Sequence, residues 1–266
     1  MAEKDPTASE KHPAYGRLRR VTSTASVLLA ENPGKMTLDG TNTWILRAPG
    51  HEQCIVVDPG PRSRSHVDRV AAQGRVALIL ITHRHHDHTG GIARLHRSTS
   101  APVRAVTSTY LRGDAAPLVD GEVIAAAGVE LTVAATPGHT ADSVSLVLDD
   151  AVLTGDTILG AGSTVLDGKD GDLGDYLASL DRLEQLGEGR VALPGHGPDQ
   201  PDTAVLARAY RAHREQRLDQ VRAALDVLGP DATPLKVVRH VYADVDKKLW
   251  PAARMSVKAQ LTYLRG

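Results

Sequence analysis

Short apolar runs, most of them closed by a turn rich in glycine, proline or aspartate, recur through the first two-thirds of the chain. Runs of this length built from Val, Ile and Leu read as strands. They predict strands over 21–29, 42–48, 54–57, 76–82, 103–106, 122–125, 129–134, 151–153 and 191–193. Residues 143–148 alternate polar and apolar side chains, as a half-exposed strand does. Helices are interspersed: 66–73 buries Val67 and Val70, 89–97 follows the strand at 76–82, and 175–186 sets Leu177, Leu180 and Leu183 at three-residue spacing.

After Pro201 the period becomes helical throughout. Residues 202–228 form a long, charged, amphipathic stretch. Thr233 and Pro234 are capping and first-turn residues for a helix carrying Val237, Val238 and Val241. In 246–265, Ala253, Val257, Leu261 and Leu264 share one face. Strands mixed with helices, then helices alone, predict an α/β architecture of two packed sheets covered by helices, with the turns gathered on one rim. The expected division is a flexible tail over 1–15, a main domain over 16–204 and a small helical appendage over 205–266.

Composition changes this picture little. The 266-residue chain has no Phe, so Leu, Val, Ile and Ala must build its core. Charge is balanced overall but uneven: residues 1–200 hold 19 basic and 25 acidic side chains, residues 201–266 hold 12 and 7. A basic segment beside an acidic body suits an anionic partner such as nucleic acid, and equally a helical bundle with a solvated arginine face. No apolar stretch approaches the roughly 20 residues that span a bilayer, and residues 1–20 lack the apolar core of a secretory signal. Cys54, the single cysteine, sits in an apolar run and reads as a buried strand residue in a reducing compartment. The expectation is a cytoplasmic protein with no membrane partner.

The chemistry begins at His83-Arg84-His85-His86-Asp87-His88, directly after the run 77–81 and just before Gly90-Gly91. Neutral imidazoles and carboxylates suit a zinc-like dication, and packing them together without one costs desolvation and repulsion. Three later turns each carry one more donor after an apolar run: Thr136-Pro-Gly-His139, Leu153-Thr-Gly-Asp156 and Leu193-Pro-Gly-His196. Seven side chains (His83, His85, Asp87, His88, His139, Asp156, His196) exceed one tetrahedral zinc and match two divalent ions sharing a carboxylate. By spacing, His83 and His85 converge from one turn, Asp87 and His88 face a second ion beyond the bend, and Asp156 is the natural bridge. A hydroxide held between two such ions would be a nucleophile at neutral pH. Zinc is the default, with manganese and iron compatible with the same ligands.

This pattern resembles the metallo-β-lactamase-fold hydrolase superfamily over residues 20–200. The resemblance implies an αββα sandwich, with His83, His85 and His139 on one metal, Asp87, His88 and His196 on the other, and Asp156 bridging. It also implies that Asp58, after an early strand, supports the histidine cluster from outside. Asn32-Pro-Gly-Lys-Met-Thr-Leu-Asp-Gly-Thr-Asn-Thr43, with Gly155-Asp-Thr-Ile-Leu-Gly160 and Leu193-Pro-Gly-His-Gly-Pro198, is similar to the β-lactamase-like protein 2 family. Leu249-Trp-Pro-Ala-Ala253 resembles that family's C-terminal winged-helix-like segment. The family includes a metal-dependent endoribonuclease acting on single-stranded RNA. Asn42 is then a candidate to hydrogen-bond substrate oxygens, and equally a residue that only caps a turn. Arg84 reads as solvated before it reads as facing an anionic substrate, His86 as a non-ligand, and His213 and His240 as surface histidines.

Three functions follow as expectations. The favoured one is a dinuclear hydrolase cutting single-stranded RNA, with Asp87 and Asp156 at the reacting centre. The second is a glyoxalase II-like thioesterase or another hydrolase of a small ester or lactone. The third, from another class, is a non-catalytic, metal-stabilised nucleic-acid-binding protein.

Overall fold

The structure is a computed structural model that describes residues 12–166, 168–244 and 246–266. Residues 1–11 of the expected tail lie outside the described residues. Tyr15 is tied down, pairing with Leu29 and donating its hydroxyl to the Asp39 carbonyl at 2.6 Å.

The first sheet contains β1 (Leu18–Arg20), β2 (Ala25–Leu29), β3 (Asn42–Leu46), β4 (Gln53–Val57), β5 (Arg75–Leu80) and β6 (Val103–Arg104), side by side in that order. The run over 21–29 is not one strand. The Thr22 hydroxyl accepts from the backbone N–H groups of Thr24 and Ala25, which closes a turn, so that only 25–29 of the segment is strand and it pairs back on β1, which precedes the segment. Strands β4, β5 and β6 run parallel. Their connections carry α1 (Arg64–Ala71), capped by Ser63, and α3 (Ile92–Thr99). A short helical turn, α2 (His86–Thr89), lies within the histidine motif itself.

The second sheet is ordered β11-β10-β9-β8-β7, from β7 (Val123–Ala126), β8 (Val129–Ala135), β9 (Val144–Val147), β10 (Ala151–Gly155) and β11 (Val191–Pro194). Helix α4 (Leu173–Leu186) joins β10 to β11, with the Asp172 carboxylate accepting from the Asp175 N–H at 2.9 Å as its N-cap. The two sheets face each other across a core in which Trp44, Ile55, Val57 and Leu80 meet Leu131, Val133, Leu146 and Leu153. Helices α1 and α3 cover the outer face of the first sheet, and α4 that of the second. The fold is the expected αββα sandwich. Segment 143–148 is nevertheless buried rather than half-exposed, because α4 closes its outer side and Ser145 satisfies its hydroxyl on Thr136 at 2.9 Å. Cys54 is fully buried in β4.

Helix α5 (Thr203–Leu228) is the spine between the two parts. Its first half packs Ala207 and Tyr210 against Leu177 and Leu180 of α4. Its second half builds a separate cluster with α6 (Pro234–Val241) and α7 (Trp250–Arg265), where Val221 and Ala224 meet Val237, Val238, Val257 and Leu261. Among the described residues, no helix is long and apolar enough to cross a membrane.

Five strands end at one rim of the sandwich. Strand β4 runs into Asp58, β10 into Asp156 and β11 into His196, while β5 and β8 lead within a few residues to His83 and His139. The carboxyl ends of strands are where α/β sheets place ligands.

Candidate metal centre

All seven donors converge at this rim in two groups, His83, His85, His139 and Asp156, and Asp87, His88 and His196. In the first, His85 Nδ1 lies 3.0 Å from both His83 Nε2 and His139 Nε2. Asp156 Oδ2 is 3.8 Å from His83 Nε2 and 3.7 Å from His139 Nε2. In the second, His88 Nε2 and His196 Nε2 are 3.3 Å apart, and Asp87 Oδ2 is 3.3 Å from the former and 3.1 Å from the latter. The same Asp156 carboxylate reaches this group too, at 3.4 Å from His88 Nε2 and 3.3 Å from His196 Nε2. It therefore lies between both.

The backbone makes room for this convergence. A Cβ at Gly195 would lie 2.4 Å from Asp156 Oδ1 and 2.7 Å from His88 Cε1, so any larger residue would displace both donors. Gly138, at φ 126°, lets the turn before His139 press against the backbone of Tyr176.

Four rings are aimed by a partner on the outward nitrogen. His88 Nδ1 meets Asp58 Oδ2 at 2.8 Å, His139 Nδ1 donates to the Val165 carbonyl at 2.6 Å, and His196 Nδ1 to the Gly40 carbonyl at 3.0 Å. His83 Nδ1 reaches the Thr82 hydroxyl at 3.0 Å, which itself donates to Asp58 Oδ2 at 2.7 Å. A proton fixed outside leaves a lone pair inside, the tautomer that a metal ligand needs. Asp58, at φ 53°, thus touches both His88 and Thr82, also accepting from the Thr82 N–H at 2.8 Å. Thr41 adds a support not foreseen there, donating its hydroxyl to Asp87 Oδ2 at 3.0 Å.

The residues fit a pair of divalent cations. The inward nitrogens face other nitrogens, and Asp156 Oδ1 is buried with no hydrogen-bond partner, a costly arrangement that a shared cation resolves. The protein's own electrostatics carry the same strain. Burial lowers His83 well below the ordinary imidazole value and lowers His139 as well, and the neighbouring histidines add to it. Burial also opposes charging of His88 and His196, but Asp156 outweighs it with help from Asp58 and Asp87, raising His88 and pushing His196 up to about 9. Asp156 and Asp87 are held below the usual carboxylate range, since His196 and His88 overcome the effect of burial.

Replacing Asp58 with alanine leaves the His88 Nδ1–H buried without an acceptor. The expected result is a loss of about 10–100-fold in metal affinity, read by competition with a chromophoric chelator.

Asn42 serves a turn. Its amide donates to the carbonyls of Pro194 at 3.0 Å and Gly197 at 2.8 Å, so both amide hydrogens are spent holding the turn that carries His196. It positions that turn and does not present its amide to a substrate. Asn42→Ala should cost about 1–3 kcal/mol of stability in thermal or urea melts while KM stays within about twofold. A large rise in KM in folded protein would restore the substrate-binding role.

Arg84 is likewise not a free surface cation, since it pairs with Asp170 at 2.9 Å. His86 is exposed and belongs to neither donor group, and His240 is exposed. His213 is half-buried beside Arg217, where burial lowers its pKa.

The sequence profile of the metallo-beta-lactamase superfamily matches residues 36–196, a span that holds all seven donors. The chain belongs to the metallo-β-lactamase superfamily. A second profile, that of the beta-lactamase associated winged helix domain, matches residues 233–265 of this metallo-β-lactamase-family hydrolase, the segment of α6 and α7. The chain is 31% identical over 266 residues to a "Beta-lactamase-like protein 2 homolog" of Drosophila melanogaster, covering 92% of this chain and 89% of the relative. It is 35% identical over 208 residues to an "Atrochrysone carboxyl ACP thioesterase" of Aspergillus fumigatus, covering 74% of this chain and 64% of that protein. The crystal structure of a beta-lactamase domain protein from Burkholderia ambifaria shares the fold, with a TM-score of 0.79 at 22% identity over 98% of this chain and 91% of that one. Fold and donor set together point to a dinuclear metal site.

Proposed function

We propose that this metallo-β-lactamase-family hydrolase is a dinuclear enzyme that cuts phosphodiester bonds in single-stranded RNA. The observation that carries the reading is the position of Asp156, one buried carboxylate within reach of both donor groups. His83, His85 and His139 would hold one ion, Asp87, His88 and His196 the other, and Asp156 both. Zinc suits this set best, and manganese or iron accept it. When bound, such ions supply Lewis acidity toward the ester and lower the pKa of a water from about 15.7 to about 7.

The chain's own part is aim and access. Asp58, Thr41, Thr82 and the Gly40 and Val165 carbonyls hold the ligands in place. A cavity of about 140 Å³ opens onto His139 and Asp156, its lip formed by Lys35, Met36, Leu38 and Leu159. Lys35 offers a cation to an anionic ester, and the apolar lip offers surface to a base.

The thioesterase name of the Aspergillus relative favours a second reading, hydrolysis of a thioester at the same centre. Metal-loaded protein offered labelled single-stranded RNA, S-lactoylglutathione and nitrocefin side by side separates the two. RNA cleavage lost on chelation and in His83→Ala supports the first. Turnover of the thioester alone transfers the assignment to the second, and RNA binding without turnover of any substrate would leave a binding protein.

A further inference from the structure

The basic excess of the C-terminal segment suggests a nucleic-acid surface there, and among the described residues ion pairs hold three of its 12 basic side chains. Arg208 pairs with Glu184, Arg211 with Asp181 and Glu215, and Arg222 with Asp219. Positive charge also collects in a groove of about 700 Å³ beside α1, α3 and the turn at 110–112. Arg62, Arg64, Arg84, Arg94, Arg97 and Arg112 line it, and no carboxylate does. Arg64 and Arg94 share Asp68, and Arg84 has Asp170. Arg62 and Arg97 have no ion-pair partner among the described residues, and Arg112 is held by the carbonyls of Thr109 and Leu111, which orient it without cancelling its charge.

The groove adjoins the metal centre. Along 83–88 the side chains divide: His83, His85, Asp87 and His88 belong to the donor groups, while Arg84 and His86 line the groove. A single loop thus supplies residues to both.

We infer that this groove, and not the C-terminal helices, grips the phosphate backbone of single-stranded RNA beside the bond to be cut. The inference rests on the RNA reading above. Guanidinium groups pair with phosphate oxygens through paired N–H donors, and cationic grooves that track a backbone are the usual means of holding single strands without reading sequence. The concave shape suits a chain of phosphates better than the convex face of an acidic carrier protein, the other polyanion a thioesterase would meet.

The test reverses charge where no ion pair is broken. Metal-loaded Arg62→Glu/Arg97→Glu is compared with wild type and with Arg239→Glu/Arg254→Glu, an exposed pair on α6 and α7. Binding of a labelled, cleavage-resistant 2′-O-methyl RNA is followed by fluorescence anisotropy across salt concentrations. The groove pair should bind about tenfold or more weakly, with the slope of log K against log salt reduced by about 1.4, some 0.7 for each phosphate no longer neutralised. The helix pair should bind as wild type. Hydrolysis of bis(p-nitrophenyl) phosphate should be unchanged in both, which shows that the metal centre is intact.

The inference is overturned if the groove pair binds RNA like wild type, if only the helix pair loses binding, if wild type binds no RNA, or if the groove pair loses capture of an acidic carrier protein while keeping RNA. RNA held by the groove but never cut would end the RNA-cleavage reading and leave the groove standing. RNA cut at the wild-type rate by the groove pair would do the reverse.

Discussion

Asp156→Asn is expected to lower hydrolysis by at least about a thousandfold, the loss of several kcal/mol of metal-derived stabilisation, and to leave the protein with fewer than two bound ions. The substitution keeps shape, so the tight fit against Gly195 survives and the effect belongs to charge. One carboxylate sits within 3.3–3.8 Å of four ring nitrogens drawn from both groups. An amide offers one acceptor where the carboxylate offers two, and turns N–H bonds toward lone pairs. His88 and His196 would also lose their largest opposing charge and become easier to deprotonate. Elemental analysis and kcat on the same preparation check this. A variant with a full metal complement and a rate within tenfold of wild type would remove Asp156 from the centre.

The second large effect is on pH. In the metal-free protein His196 is pushed up to about 9 and His88 is raised as well, chiefly by Asp156, so both hold a proton more firmly than a free imidazole does. A metal needs their lone pairs and must displace those protons. Apparent affinity should therefore fall as pH drops below about 9, by about tenfold per pH unit for each proton displaced. Calorimetry in buffers of different ionisation enthalpy counts the protons released.

Stability of the metal-free fold should move the opposite way. The raised His196 pKa contributes stabilisation that is complete below its ordinary 6.5 and is lost as pH rises through about 9. The lowered Asp156 contributes only above the ordinary carboxylate range and is constant over this window. Metal-free melting temperature should thus decline from pH 6.5 to 9 while the gain on adding metal grows. At metal a thousandfold above Kd that gain is about 4 kcal/mol, roughly 10 °C for a chain of this size. A gain that shrinks with rising pH would mean that His88 and His196 do not give up protons to the ion.

Much of this arrangement was legible in the chain because ligand-type side chains follow apolar runs into glycine turns. Strand ends are where a sheet gathers groups distant in sequence, so His139, Asp156 and His196 could be expected to meet His83–His88. What stayed hidden depended on facing partners. Asn42 reads equally as a substrate donor or a turn residue, and only the approach of the turn after β11 shows where its hydrogens go. Arg84 reads as solvated until Asp170 arrives from a loop far along the chain. Thr41 and Thr82, beside residues already singled out, gave no periodic signal, since a hydroxyl's role is set by what stands opposite it. The β1–β2 hairpin was missed because a Thr-Ser-Thr turn lacks glycine and proline and closes through side-chain hydrogen bonds.

The most direct measurement is zinc stoichiometry: chelator-stripped protein retitrated with zinc and assayed for bound metal by elemental analysis. Two ions per chain are expected for wild type and at most one tightly held in His139→Ala, whose ring belongs to the first group alone. A folded wild-type chain that takes up no zinc, or that saturates at one ion, would contradict a paired centre joined through Asp156.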